Sequence, residues 1–421
     1  MKNYIRFANQ ALTSIYKDGA YASIVMGDLL PFLSSSDRAI VTKLVYGVIE
    51  HNEEFGYMIS KLCKKQPRPS IRVVLRLGMY LLKYMDSIPD YAAVNEIVEL
   101  TKTVKKEQAG FVNATLKIYI KEKNNLPDGI LGLSIKSNYP VWLIQEYIAE
   151  YGLEKAKQII SSKFKHTHLR LNTSKIKESE FEKLCEERNV SFSKTDYGYL
   201  ITSTSLFKNE IENGIVTMMA LDSIKICNVL VPEKAQSDIL DMCSAPGGKA
   251  VYFAENNPNV KVYACDIHPH RVELIKSYSS RMGVHNVEPM VWDSTVLNKE
   301  WIDSFDYVLL DVPCSGVGVI NSNPDIILNR TKESVAELNL IQSKLLQTAS
   351  EYVKKGGRLV YSTCSNLKKE NIDIVNCFLK NNSEFELCES EILPNNEKFY
   401  TFENDEFGND GFFVANIRRK E

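Results

Sequence analysis

Two short stretches deliver cysteines that could do chemistry. Asp311-Val312-Pro313-Cys314-Ser315-Gly316 follows the apolar run Tyr307-Val308-Leu309-Leu310, and Thr363-Cys364-Ser365 follows Leu359-Val360-Tyr361-Ser362. Each pattern reads as a buried strand that brings a thiol to its carboxyl end, so two cysteines face one cleft. A free thiol titrates near about 8.5, and nucleophilic attack needs the thiolate, which a positive charge or a helix start favours. Lys249 is the candidate for that charge. An isolated buried cysteine is ordinarily a small hydrophobe, and the thiols of Cys227, Cys243, Cys265 and Cys388 are read that way.

The element that must position these groups starts at Ile239-Leu240-Asp241-Met242 and runs through Cys243-Ser244-Ala245-Pro246-Gly247-Gly248-Lys249-Ala250. It is an apolar strand entering a glycine-rich turn that opens a helix. The glycine pair lets backbone come close to a bound molecule, and the helix-start N–H groups favour electron-rich partners. Asp266 lies 19 residues after Gly247, at the end of the next apolar run. That is near the roughly 20 expected of a carboxylate gripping ribose hydroxyls. A nucleoside site is the expectation, against the plain alternative of an ordinary strand–helix turn. Beside such a site, the carboxyl of Asp311 and the thiol of Cys314 are what a pyrimidine ring needs for attack at its carbon 6.

At 421 residues the chain should hold two or three domains. No apolar window reaches the roughly 18 residues needed to cross a bilayer, and a cytoplasmic protein is expected. Nine cysteines, odd in number and without a Cys-x-x-Cys pair, argue against a disulfide framework and against a metal site. The net charge of −2 gives the whole chain no nucleic-acid signature, but charge is distributed unevenly. Between Phe55 and Met85 there is no acidic residue, while Lys61, Lys64, Lys65, Arg68, Arg72, Arg76 and Lys83 are basic. A second basic run is Lys163, Lys165, Arg170, Lys175 and Lys177, with His166 and His168 between. Either run could track a phosphate backbone or be a solvated helix face.

Residues 1–125 read as a helical bundle: apolar residues recur at helical spacing over 7–16, 40–49 and 73–84. Turn residues at 124–129 mark a boundary, and residues 130–210 alternate helix and strand as a small α+β domain. From 211 to 421 the pattern is βαβ, with strands expected at 239–242, 260–265, 287–292, 307–310, 358–362, 385–388 and 412–417. This predicts a doubly wound sheet whose ligands lie at strand carboxyl ends, where Asp241, Asp266, Asp293, Asp311 and Cys364 all fall.

Ser244-Ala245-Pro246-Gly247-Gly248-Lys249, Asp311-Val312-Pro313-Cys314-Ser315-Gly316 and Ser362-Thr363-Cys364-Ser365, in that order, resemble the motifs of the Nop2/Sun family of RNA 5-methylcytosine methyltransferases. The front of the chain resembles a NusB-like domain. It does so through Ser36-Asp37-Arg38, Leu44-Val45-Tyr46-Gly47-Val48, Leu75-Arg76-Leu77-Gly78-Met79-Tyr80, Ile88 to Glu96 and Gly110-Phe111-Val112-Asn113-Ala114. That domain precedes the catalytic part in the branch of the family acting on small-subunit ribosomal RNA. The fold implied is an all-α NusB-like bundle, a small α+β linker domain and a Rossmann-like S-adenosylmethionine-dependent methyltransferase domain.

The resemblance implies that Cys364 attacks carbon 6 of a cytosine, that Cys314 helps release the product, and that Asp311 hydrogen-bonds the ring with Lys249 nearby. By analogy with DNA cytosine methyltransferases the two cysteines exchange roles, and that alternative stays open. S-adenosylmethionine is implied along Cys243, Ser244, Ala245, Pro246, Gly247, Gly248 and Lys249, with Asp266 on its ribose, Asp293 near its adenine, and Arg271 and Asp311 beside it. No metal is implied. The implied partner is 16S ribosomal RNA, bound by a monomer, with no DNA and no membrane.

The chain also departs from the family pattern. An expected Arg-Arg-x-Pro-Asp reads Asn321-Ser322-Asn323-Pro324-Asp325, Lys-Trp reads Ile327-Leu328, Gln-Asp reads Met219-Ala220, and a threonine reads Ala250. The lost arginines make the RNA target less determined than the chemistry, with transfer RNA or another RNA as the alternative. A dinucleotide oxidoreductase lacks Gly-x-Gly-x-x-Gly in the first turn and gives the two thiols no role. A non-catalytic NusB-like RNA-binding protein has no need of Asp311, Cys314 and Cys364 together.

Overall fold

A computed structural model describes residues 2–162, 166–231, 234–404 and 410–421. The chain forms two units. One comprises Met1–Ser161 with Asn323–Arg330, the other Ser162–Ser322 with Thr331–Glu421.

The first unit is helical: α1 (Asn3–Asp18), α2 (Ala22–Leu29), α3 (Ser35–Glu50), α4 (Asn52–Leu62), α5 (Pro69–Tyr84), α6 (Asp90–Lys105), α7 (Ala109–Glu122), α8 (Gly129–Ser137), α9 (Val141–Tyr151) and α10 (Leu153–Ser161). Ser34 caps α3 by accepting the Asp37 N–H at 3.2 Å, and Pro69 opens α5 where no amide donor is needed. Along α5, Ile71, Val74, Leu75, Gly78, Leu81 and Leu82 are buried, and the helix packs against α1, α3, α6 and α7. Burial of each of the Ile, Val and Leu side chains among these stabilises by about 1.5–3 kcal/mol. Gly47 admits the Tyr80 ring, because a Cβ there would stand 2.2 Å from it.

The first unit continues past the residue-125 end expected for the bundle, taking in α8 to α10. Asn138, at φ 61°, ends α8, and its side-chain amide donates to the Ile49 carbonyl at 2.9 Å and accepts the Glu53 N–H at 3.1 Å. Residues 323–330 also join this unit. Asp325 Oδ2 accepts the Ala22 N–H at 2.8 Å, Ile327 is buried, and Leu328 packs on the helical core. The Ile327-Leu328 departure from the family pattern therefore lies in an apolar strap, whereas Asn321 and Ser322 belong to the second unit.

The second unit begins with β1 (Thr167–Leu171), α11 (Glu178–Glu187), β2 (Phe192–Thr195), β3 (Gly198–Ile201), α12 (Lys208–Glu212) and β4 (Val216–Met218). The strands form an antiparallel sheet in the order β2-β3-β1-β4. β2 and β4 escaped the sequence reading because they span only 4 and 3 residues, too few for a period-two pattern to register.

There follow α13 (Leu221–Leu230), β5 (Ile239–Asp241), α14 (Gly248–Asn256), β6 (Val262–Asp266), α15 (Pro269–Met282), β7 (Val287–Val291), β8 (Phe305–Asp311), α16 (Lys332–Tyr352), β9 (Val353–Thr363), α17 (Ile372–Asn381), β10 (Phe385–Leu387), β11 (Phe399–Phe402) and β12 (Phe412–Arg419). The sheet order is β10-β12-β9-β8-β5-β6-β7, with β11 also on β12. Strands β5 to β9 pair in parallel, while β12 runs antiparallel to β9, β10 and β11. The order turns back between β5 and β8, and ligands of such sheets bind at the strand ends beside that point. The parallel register sets Asp311 opposite Ser362 and Asp241 opposite Leu309.

The second basic run is largely spent inside this unit. Arg170 pairs with Glu255, Lys175 donates to the carbonyls of Asn213 and Arg281 at 2.9 Å each, and His168 is buried between Met219 O and Thr195 Oγ1. These residues tie the small sheet to its neighbours and do not form an open phosphate track. Lys163 and Lys165 lie outside the described residues. In the first basic run Lys61 pairs with Glu122 at 3.1 Å and Lys83 with Glu54 at 2.7 Å.

Candidate active site

β5 ends in Asp241, and the turn after it closes when the Gly247 N–H donates to the Ser244 carbonyl at 2.8 Å. Gly247 has φ 104°, a conformation that disfavours a side chain, and a Cβ would press on Ile275 at 3.2 Å. The Ala245–Pro246 bond is cis. Behind the turn is a cavity of about 190 Å³ lined by Met219, Ala220, Ser223, Asp241, Cys243 to Pro246, Gly248, Lys249 and Asp311. Neither this cavity nor a larger hollow of 520 Å³ beside Lys225 and Phe402 has Cys314 or Cys364 in its lining.

Within the small cavity the Lys249 ammonium donates to Asp311 Oδ2 at 2.7 Å. Ser362 donates to the other oxygen, Oδ1, at 2.6 Å, so β9 braces the carboxylate that β8 delivers. Burial works against the charged lysine, but the Asp311 carboxylate outweighs it and holds Lys249 above the ordinary lysine range. The positive group foreseen near the thiols is thus engaged with Asp311.

Cys314 Sγ and Cys364 Sγ stand 3.2 Å apart as free thiols, and the Cys364 N–H points at Cys314 Sγ at 3.3 Å. The neighbouring Cys364 sulfur, then burial, push the Cys314 thiol well above its usual range. Gly318 permits the close backbone here: its N–H donates to the Cys364 carbonyl at 3.0 Å, and a Cβ would collide with Gly411 O.

Asp241 was visible only as a strand end, yet it is the cavity's most unusual group. Both its oxygens and Ser244 Oγ are buried and none reaches full hydrogen-bond geometry, although the Ser244 hydroxyl and the Cys243 N–H lie near enough to offset part of the effect of burial on Asp241. Burial, then the Asp311 charge, raise Asp241 to about 7. Buried acceptors left open suit a ligand carrying donors or a positive charge. S-adenosylmethionine, with its ammonium and hydroxyls, fits that set.

Four expected cofactor residues, Gly247, Asp266, Arg271 and Asp293, fall outside the lining of this cavity. Asp266 accepts the His268 N–H at 3.0 Å and pairs with Arg271 at 3.2 Å, and Arg271 donates to the Ala245 carbonyl at 3.0 Å. Asp293 accepts from the Thr295 N–H and hydroxyl at 2.9 and 2.7 Å, bonds that hold its carboxyl below the usual range. Met219 and Ala220, from just before α13 and standing where the family pattern has Gln-Asp, also line the cavity.

The sequence from 227 to 418 matches the family model of "16S rRNA methyltransferase RsmB/F", and 6–121 matches the NusB family. A doubly wound sheet with this turn and paired thiols, preceded by a NusB domain, defines an RNA methyltransferase with an S-adenosylmethionine-dependent fold. Among relatives, "Probable ribosomal RNA small subunit methyltransferase B" of Bacillus subtilis is 31% identical over 98% of this chain and 98% of its own. The enzyme of the same name, without the qualifier, from Escherichia coli O1:K1 is 28% identical over 100% and 99%. The chain belongs to the ribosomal RNA small subunit methyltransferase B family. The crystal structure of PH0851 shares the fold, with TM-score 0.85, 22% identity and coverage of 99% and 98%. A methyltransferase homolog protein from Pyrococcus horikoshii covers 70% of this chain and 100% of its own, with TM-score 0.59 and 26% identity.

Proposed function

We propose that this enzyme methylates carbon 5 of a cytosine in 16S ribosomal RNA through a covalent cysteine–cytosine adduct. The observation that carries the reading is the Cys314–Cys364 pair, Sγ to Sγ 3.2 Å, at the ends of the two strands that also hold Asp311 and Ser362. Cys364 forms the Sγ–C6 bond, which shifts electron density to carbon 5. Asp311, fixed by Lys249 and Ser362, hydrogen-bonds the ring and orients it. S-adenosylmethionine supplies the methyl group to carbon 5. Water takes the carbon-5 proton, the C5–H electron pair re-forms the C5=C6 bond, and Cys364 leaves with the Sγ–C6 pair, a release that Cys314 assists. Covalent catalysis divides one hard step into two easier ones, and lifting the base from its stack costs a few kcal/mol unless the RNA is unpaired.

Cys243 to Lys249, with Asp266, Arg271, Asp293 and Asp311, form the cofactor side in this reading, and Asp241 adds a carboxylate toward the ammonium. The helical and α+β parts bind RNA and the last part is catalytic. The enzyme acts as a cytoplasmic monomer on RNA and not DNA, without a metal. Among the described residues no helix is long and apolar enough to cross a membrane.

The test is transfer of labelled methyl to naked small-subunit ribosomal RNA, with transfer RNA in parallel, followed by mapping of the modified base. Label on one ribosomal cytosine that vanishes with Cys364→Ala supports the reading. Label on transfer RNA alone keeps the chemistry and overturns the substrate.

A further inference from the structure

Beneath the two thiols lies a carboxylate that neither strand motif contains. Glu370 is fully buried, between β9 and α17. Its Oε1 accepts the Ser315 N–H at 2.8 Å and the Gln342 amide at 3.1 Å. Its Oε2 accepts the hydroxyls of Ser315 and, at 2.6 Å, Ser365. The same Gln342 nitrogen donates to the Pro313 carbonyl at 3.1 Å. The Glu370 carbonyl in turn accepts the Tyr361 hydroxyl at 2.5 Å.

Those partners are the immediate neighbours of both cysteines. Pro313 and Ser315 flank Cys314, and Ser365 follows Cys364. One carboxylate therefore fastens the loop after β8 to the loop after β9, and among the described residues no cation pairs with it. A buried carboxylate is costly unless its lone pairs are filled, and here four donors fill them, so the charge is held by directed bonds. That arrangement fixes two loop backbones at once, which a single hydrogen bond or apolar packing would not do.

We infer that Glu370 is a positioning residue that sets the spacing of the Cys364 and Cys314 sulfurs for the two halves of the reaction. The inference rests on the proposed cysteine chemistry. The two thiols serve adjacent ring atoms, the nucleophile at carbon 6 and the release step at carbon 5, and displacement of a reacting group by about 1 Å costs on the order of 10²-fold in rate. The carboxylate has a second effect. Its negative charge is among the influences that keep the Cys314 thiol protonated, after the Cys364 sulfur and burial. It thereby disfavours a thiolate at Cys314.

The experiment compares the wild-type enzyme with Glu370→Gln and with Ser315→Ala/Ser365→Ala, measuring kcat, KM for RNA, S-adenosylmethionine affinity, thermal midpoint and the pH–rate profile. Adduct on RNA is followed in denaturing gels. The expected result is a kcat lower by about 10²-fold in Glu370→Gln. KM for RNA and cofactor affinity stay within about twofold, and the limb of the pH profile reporting Cys314 moves to lower pH as the neighbouring charge is removed. The serine pair, which keeps the carboxylate but loses the two hydroxyl bonds to its Oε2, should lower kcat without moving that limb in the same direction. Unchanged kcat and profile in Glu370→Gln overturn the inference. So does a loss of kcat that falls together with the thermal midpoint and cofactor affinity, which is the mark of a merely structural carboxylate. Absence of methyl transfer and of adduct in the wild-type enzyme would instead remove the cysteine chemistry itself.

Discussion

Asp311 and Ser362 stand directly opposite each other in the parallel register of β8 and β9, and the Ser362 hydroxyl donates to Asp311 Oδ1 at 2.6 Å. With Lys249 on Oδ2 at 2.7 Å, both carboxylate oxygens are committed and the group is held in one orientation. Three residues later the chain reaches Cys314, and two residues after Ser362 it reaches Cys364. One strand register thus positions the Asp311 carboxylate and both thiols.

The roles of the cysteines separate by substitution. Cys364→Ala should abolish the covalent RNA adduct and methyl transfer, whereas Cys314→Ala should let the adduct accumulate, both read on denaturing gels. The opposite pattern would exchange the two assignments.

Lys249→Met leaves Asp311 without its cation. Methyl transfer should fall on the order of 10²-fold, because the carboxylate loses the contact that aims it. Chemical denaturation should show a loss of about 2 kcal/mol, less than for a fully buried pair because the Asp311 side chain keeps 29% of its exposure.

Asp241 should couple cofactor binding to protons. Its folded value of about 7 lies above the ordinary 3.8, so the folded chain binds this proton more tightly than the unfolded chain. Stability from this group is therefore fully present below about pH 4 and lost as pH rises toward 7. A ligand ammonium favours the carboxylate and lowers its pKa. Binding of S-adenosylmethionine near pH 6.5 should release a proton, seen as a dependence of calorimetric heat on buffer ionisation enthalpy. Asp241→Asn should remove that dependence and weaken binding.

The basic segment of the helical unit divides into two kinds of arginine. The Arg76 guanidinium lies 4.8 Å from the Tyr16 ring centroid, its Nε buried without a partner, while Arg72 is half-buried on the same cavity of about 330 Å³. Arg72→Gln should weaken RNA binding and lower its salt slope by roughly 0.7 per lost single-strand phosphate contact. Arg76→Ala should chiefly lower the thermal midpoint of the protein. Equal loss of RNA affinity in both variants at unchanged stability would refute the distinction.

Much of this was legible in the chain. Local patterns settle what short-range physics controls: apolar periodicity marked the helices of the first unit and most strands of the large sheet, Pro and Ser marked helix starts, and the glycine turn marked a ligand edge. The placing of the candidate residues was legible too, because Asp311, Cys314 and Cys364 each sit at the end of an apolar run long enough to be recognised. Tertiary structure decided what depends on partners distant in sequence. The second basic run could be a phosphate track or a solvated face by sequence, and folding instead set Arg170 against Glu255, 85 residues away. Residues 323–330 read as part of the catalytic segment, yet Asp325 caps the Ala22 amide across 303 residues. Asp241 differs from any aspartate at a strand end only because folding buried both its oxygens beside the Asp311 charge, and Glu370 differs only because folding brought Ser315, Gln342 and Ser365 to it. Period and propensity act over a few residues, whereas burial, charge pairing and donor count depend on which segments pack together.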